Sequence, residues 1–198
     1  MTDDEVVVRR RADGATELRV NGVFVMDDAE TTSEQRLAQV AIERGGRDVL
    51  VGGLGLGFTV QALLDDSRVR MVLVAELHPE VIAAVTLDDP RLEVVIGDIR
   101  ELVAEQPPAF WDAVLLDVDN GPDFLVHPDN AEVYGTAFLG ECARVLRPGG
   151  TVAVWSMADS PSLRSSLADH LINVTAEPVP VRLQGRAEQY WILSGRAA

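Results

Sequence analysis

Four groups of residues, each just after a short apolar run, are of types that bind or activate a small polar molecule. The first is Gly52-Gly53-Leu54-Gly55-Leu56-Gly57, which follows Val49-Leu50-Val51 and opens a helix-like stretch. Glycine lets backbone come close to a ligand there, and a helix N-terminus favours negative or polar groups. A dinucleotide fingerprint needs its third glycine three positions after the second, and that place holds Phe58. Gly53-x-Gly55-x-Gly57 is the tighter spacing suited to an adenosine bearing no diphosphate. It points away from NAD and toward an S-adenosyl nucleoside.

The second is Glu76, whose carboxylate can accept both hydroxyls of a ribose. The third is Gly97-Asp98. An acid there can accept from an adenine amino group, or serve as the N-cap of the helix starting at Ile99, and the two roles can coexist. The fourth is Asp117-Val118-Asp119-Asn120-Gly121-Pro122-Asp123, a cluster of carboxylates pointing to cation binding or a raised pKa, with a polar Asx-type turn as the plain alternative.

These groups need a frame that brings the ends of several strands together. Val49 to Val51, Met71 to Ala75, Val94 to Ile96, Ala113 to Leu116 and Val152 to Trp155 are unbroken apolar runs, which indicate parallel strands buried on both faces. Helix-like segments lie near 58–65, 79–86, 99–105, 131–146 and 161–171, with Arg147-Pro148-Gly149-Gly150 stopping the fourth. The alternation predicts an α/β, Rossmann-like, doubly wound sheet, in which ligands bind at the carboxyl ends of the strands. Val179 to Leu183 and Gln189 to Leu193 read as a closing antiparallel pair. Ahead of the sheet, residues 1–30 read as a β-meander turning at Asp13-Gly14 and Asn21-Gly22, distinct from an α/β unit over 31–198. A helix is expected from Thr32 to Arg44, with Thr32 and Gln35 at capping-box spacing and Gly45-Gly46 as the stop.

Composition narrows the function. There are 198 residues with 32 acidic against 17 basic ones, a net charge of −15 that disfavours nucleic acid. Lysine is absent, which excludes a Walker-type phosphate loop, a protein kinase and Schiff-base chemistry. Cys142 cannot pair internally, and His78, His127 and His170 are far apart in the chain, so no metal-ligand spacing arises. Cys142 reads as core, and Tyr134, Trp155, Tyr190 and Trp191 read as core or interface aromatics, although Trp155 at a strand end can also line an acceptor pocket. With no leader and no long apolar run, a soluble cytoplasmic protein is expected, without membrane contact and with a meander edge able to pair into a homodimer.

From Val49 to Gly150 the chain resembles the spermidine-synthase-like branch of the class I methyltransferase fold. The resemblance rests on Val51-Gly52-Gly53, Ala75-Glu76-Leu77, Asp89-Pro90-Arg91 leading to Gly97-Asp98, Leu116-Asp117, and Leu146 to Gly150, with Leu18 to Met26 similar to that family's small β-domain. It implies a seven-stranded sheet with an antiparallel closing strand. Gly53, Gly55 and Gly57 would hold the ligand's amino-acid-like end, Glu76 with Leu77 the ribose, and Asp98 with Ile99 the adenine; Asp117 would stand next to the sulfonium. There are departures. Gly55 replaces an acidic loop residue, Asn120 the second aspartate of an Asp-x-x-Asp-Pro motif (although Asp119 adjoins it), and Val25 a glutamine. A Tyr-His-Glu trio becomes about Ser33, Glu34 and Gln35. Those family groups grip a diamine and take its proton.

The leading expectation is therefore an S-adenosylmethionine-dependent methyltransferase acting on a small, cationic or amine-bearing acceptor, with Asp117, or Asp119, taking the amine proton. The alternatives are aminopropyl transfer from decarboxylated S-adenosylmethionine, and a nucleoside-binding homologue without catalysis.

Overall fold

The computed structural model describes residues 5–125, 128–183 and 186–198, so His127 lies outside the described residues. Strands β1 (Val6–Arg10), β2 (Thr16–Val20) and β3 (Val23–Asp27) form an antiparallel sheet in the order β1-β2-β3. Asn21 and Gly22 turn β2 into β3 with φ of 51° and 76°, the left-handed pair a tight hairpin requires.

Helix α1 (Thr32–Glu43) leads into β4 (Asp48–Gly52), α2 (Phe58–Leu64), β5 (Met71–Glu76), α3 (Pro79–Ala84), β6 (Leu92–Ile96), α4 (Ile99–Glu105) and β7 (Trp111–Leu116). Helix α5 (Thr136–Val145), β8 (Leu146–Ser156), α6 (Pro161–Ala168), β9 (Ile172–Leu183) and β10 (Arg186–Arg196) complete the chain. The large sheet has the order β6-β5-β4-β7-β8-β10-β9, with β10 antiparallel to both neighbours and the other described pairings parallel. This is the doubly wound, seven-stranded arrangement that the apolar runs predict. Successive residues feed opposite layers: Val49, Val51, Ala113 and Leu115 pack beneath α1 and α2, while Leu50, Val114 and Leu116 pack with Val103 of α4 and Leu139 of α5. Both faces are covered, which is why the runs are unbroken.

Several local expectations need correction. The N-cap of α1 is Thr31, one residue before the expected capping box. Instead Glu30 accepts from the Thr32 N–H at 3.0 Å, and the Gln35 amide donates to the Thr31 hydroxyl at 3.0 Å. The helix expected over 131–146 is a 3₁₀ turn (Pro128–Tyr134) and then α5, because Gly135 adopts extended dihedrals between them. Arg147 to Gly150 lie within β8 and not ahead of it: Gly149 bonds to Ala197 through its N–H and to the Arg196 guanidinium through its carbonyl. Helix α6 stops at Ala168, and β9 and β10 are far longer than the expected pair.

Arg91 explains the Asp89-Pro90-Arg91 segment in structural terms. Its guanidinium pairs with Asp89 and donates to the carbonyls of Leu64, Asp66 and Val69, closing the end of α2 against the start of β6. Replacing Arg91 by alanine is expected to lower the thermal unfolding midpoint while leaving nucleoside affinity, read by calorimetry below that midpoint, unchanged.

Candidate active site

The carboxyl ends of β4, β5, β6 and β7 open into one cleft, roofed by β2 and β3 of the small sheet and lined by Gly53, Glu76, Asp98, Asp117, Met26 and Trp155. Such a cleft at the point where strand order reverses is where doubly wound sheets bind ligands. Gly53 has φ +89°, and a Cβ there would overlap the Asp117 carbonyl oxygen and lie 2.8 Å from its carbon. The loop can therefore cross the end of β7 only as bare backbone. At Gly55, φ is +54° and a Cβ would meet the Met26 sulfur at 2.6 Å. That same sulfur lies 3.2 Å from the Leu56 nitrogen, so β3 fastens the loop. Gly57 sits at the start of α2 against Val85 and Leu87, away from the cleft lining.

Glu76 is buried at the end of β5, where its Oε2 accepts from the Leu54 N–H and its Oε1 from the His78 N–H, each at 2.9 Å. The His78 ring Nδ1 lies 3.2 Å from Oε1. Burial pushes this carboxyl upward, but the His78 side chain and the two N–H donors outweigh it, and it ionises below the usual range. It is thus a preset anion, held by the glycine loop and His78, and its Oε2 keeps lone-pair capacity for a further donor. Asp98 caps α4 through the Arg100 N–H at 2.7 Å and pairs with the Arg100 guanidinium. It still lines the cleft, so capping α4 does not withdraw it from the lining. Ile99 packs against Gly52 and lines the cleft beside Asp98, and Leu77 stands half exposed at its mouth.

Asp117 ends β7 inside the cleft, and its Oδ2 accepts from the Thr59 hydroxyl of α2 at 2.9 Å. Burial pushes its carboxyl up to about 6, with the Thr59 bond opposing. Asp119, also in the lining, accepts from the Asn130 side chain at 2.9 Å. Asp123 is exposed and does not join them. Among the described residues no group of acids, histidines and cysteine could hold a metal ion. Cys142 is fully buried, and that burial pushes its thiol up, which suits core packing.

Four cleft residues escape reasoning from strand ends alone. Met26 and Asn130 arrive through long-range packing, and His78 matters as the partner of Glu76. Glu34 is on α1, buried and facing Asp117. Its signal was in the sequence: Glu34, Leu37, Ala38 and Ala41 share one helical face, and a carboxylate on an apolar face calls for a reason.

No family model matches the chain. It is 34% identical over 169 residues to the polyamine aminopropyltransferase of Mycobacterium tuberculosis, aligning 79% of this chain with 31% of that protein. Its fold superimposes on a crystal structure of spermidine synthase in complex with the transition state analogue AdoDATO, with a TM-score of 0.83 and 16% identity, over 100% of this chain and 72% of that one. The chain belongs to the spermidine synthase-like family. It spans about a third of the length of the curated relatives it matches, among them putrescine N-methyltransferase 1 of Nicotiana tabacum, 26% identical over 54% of this chain and 28% to 29% of such relatives. Within this spermidine synthase-like chain the surroundings of Gly55 leave little room for a side chain. With a left-handed backbone and the Met26 sulfur against it, no acidic side chain fits unless Met26 moves.

Among the described residues no helix is long and apolar enough to cross a membrane.

Proposed function

We propose that the chain transfers the aminopropyl group of decarboxylated S-adenosylmethionine to a di- or polyamine. This replaces methyl transfer as the leading reading, because the sequence relatives are aminopropyltransferases at higher identity and coverage than the N-methyltransferases. The observation that carries the chemistry is Asp117: a partly buried carboxyl in the cleft, pushed up to about 6 by desolvation, at the strand end beside the glycine loop. A carboxyl so tuned takes a proton from an ammonium more readily than an ordinary aspartate.

The residues fit the nucleoside donor. Gly53 keeps backbone bare at the cleft wall, Glu76 presents a preset carboxylate to the ribose hydroxyls, and Asp98, between Leu77 and Ile99, faces the adenine. When bound, the donor supplies a carbon already activated by its sulfonium. Asp117 accepts the proton that frees the amine lone pair, with Asp119, held by Asn130, steadying the remaining positive charge. The new C–N bond forms as the C–S bond breaks, its electron pair passing to sulfur and leaving methylthioadenosine. The protein aligns the pair and excludes water.

One observation favours a second reading, methyl transfer from S-adenosylmethionine itself: the loop has Gly55 where an acidic residue would face the donor's amine. Incubation of putrescine with each donor, followed by mass spectrometry, separates the readings. Gain of one aminopropyl group from the decarboxylated donor is expected. Gain of a methyl group would install the second reading, and nucleoside binding without any product would make the chain a non-catalytic homologue.

Glu76→Ala removes the ribose partner and is expected to weaken methylthioadenosine binding about 10- to 100-fold, the worth of a pair of hydrogen bonds to a charged group. Calorimetry reads this directly, and an unchanged affinity would remove Glu76 from the ribose site.

A further inference from the structure

Glu34 is a cleft carboxyl that the strand-end scheme leaves without a task. It lies in the first turn of α1, 7% exposed, on the face that carries Leu37, Ala38 and Ala41 into the core. Its Oε2 accepts from the neighbouring Ser33 hydroxyl at 2.9 Å. Among the described residues no arginine or histidine pairs with Glu34 or with Asp117. The charged, titratable and polar groups facing it are Asp117 from the end of β7, Glu30 ahead of α1, Tyr190 from β10, and Thr59 of α2, whose hydroxyl lies 3.4 Å from the Glu34 carbonyl oxygen.

A second, independent feature lies in the same cleft. Trp155 is 7% exposed, its indole Nε1 is buried without an acceptor among the described residues, and its ring rests on Tyr190 with centroids 4.7 Å apart. Two carboxyls without a counter-cation are unfavourable in a protein interior unless a ligand brings the positive charge. Carboxylates beside an aromatic pair suit a protonated alkylamine, through charge-assisted hydrogen bonds on one side and the ring face on the other.

We propose that Glu34 is a specificity-determining residue of the acceptor pocket, holding, with Asp117, a protonated primary amine of an aliphatic di- or polyamine against Trp155 and Tyr190. The proposal rests on the transferase reading above, and it goes beyond the family resemblance, in which Glu34 falls on a trio this chain lacks. Burial, with the Asp117 charge adding to it, pushes Glu34 up to about 7. The pair therefore carries a proton near neutrality, and the incoming ammonium displaces it. Amine affinity rises as pH climbs from 6 to 8, because protonation of Glu34 competes with the cation.

The test is calorimetric titration of putrescine into protein saturated with methylthioadenosine, at pH 6 and pH 8, for wild type, Glu34→Gln and Glu34→Asp. Wild type is expected to bind about 10-fold more tightly at pH 8, as one competing proton near pH 7 requires. Glu34→Gln is expected to bind about 10- to 30-fold more weakly at pH 8, the loss of one charged partner, with most of the pH dependence gone. Glu34→Asp should retain that dependence, and it decides the matter should the glutamine variant not fold. Equal affinity and equal pH dependence in wild type and Glu34→Gln would overturn this role while leaving the transferase reading intact. Wild type that binds methylthioadenosine but no putrescine at either pH would overturn both.

Discussion

Replacing Gly53 by alanine is expected to abolish nucleoside binding and to lower stability by about 3 kcal/mol or more, the combined effect of left-handed strain and steric overlap. Two separate penalties coincide at this position. A φ of +89° disfavours any side chain, and the added Cβ would run into the Asp117 carbonyl at the end of β7. Relief requires the loop to lift from β7, which pulls the Leu54 N–H away from Glu76 and leaves that buried carboxylate short of a donor. Gly14 supplies the control: its φ is +92° but nothing lies within 4 Å of a Cβ there. Gly14→Ala should therefore cost only about 1 kcal/mol, the strain alone. Chemical denaturation of both variants reads the difference, and equal losses would mean that contact with Asp117 does not constrain the loop.

The second large effect combines loss of activity with gain of stability. Asp117→Asn is expected to slow aminopropyl transfer about 100- to 10,000-fold, the usual worth of a general base. At pH 8 the same variant is expected to be more stable than wild type by about 1 to 2 kcal/mol, since moving the carboxyl from 3.8 to about 6 bounds the effect at about 3 kcal/mol and its partial exposure to solvent reduces it. The sign follows from the direction of the shift. Asp117 has a folded pKa of about 6 against the ordinary 3.8, so the fold favours its protonated form. That stabilising contribution is complete below pH 4 and is lost as pH rises through 6, leaving a partly desolvated anion that asparagine avoids. The Thr59 hydroxyl can still donate to the asparagine carbonyl oxygen. A variant that lost stability at pH 8, or that kept full activity, would show Asp117 to be a structural residue.

The parts of this protein that sequence makes legible are those fixed by local pattern. Val49 to Val51 has no polar residue because both of its faces are covered, and that alone announces a parallel strand. Glycines and acids at strand ends stand out because an apolar run stops there. The errors arise where tertiary contacts choose between local options. Gly135 splits one expected helix because its backbone is extended there, and α1, which starts at Thr32 as expected, is capped at Thr31 without the expected capping box because Glu30, which also accepts from the Arg182 N–H of β9, takes the first free N–H. Arg147 to Gly150 read as a stop signal, yet the Arg196 guanidinium and the end of the chain draw them into β8. In the cleft, Met26 against Gly55 and Asn130 against Asp119 join distant stretches, and no spacing rule connects them. Glu34 is legible from its helical face, as the carboxylate in line with Leu37, Ala38 and Ala41.

The most direct test is a crystal structure of the protein with methylthioadenosine, the nucleoside product of aminopropyl transfer. The expected density places both ribose hydroxyls on the Glu76 carboxylate, the adenine beside Asp98, and the thioether sulfur toward Asp117 at the end of β7. A nucleoside bound outside the cleft, or one within it whose sugar does not touch Glu76, would contradict the assignment of these strand ends as the transfer site.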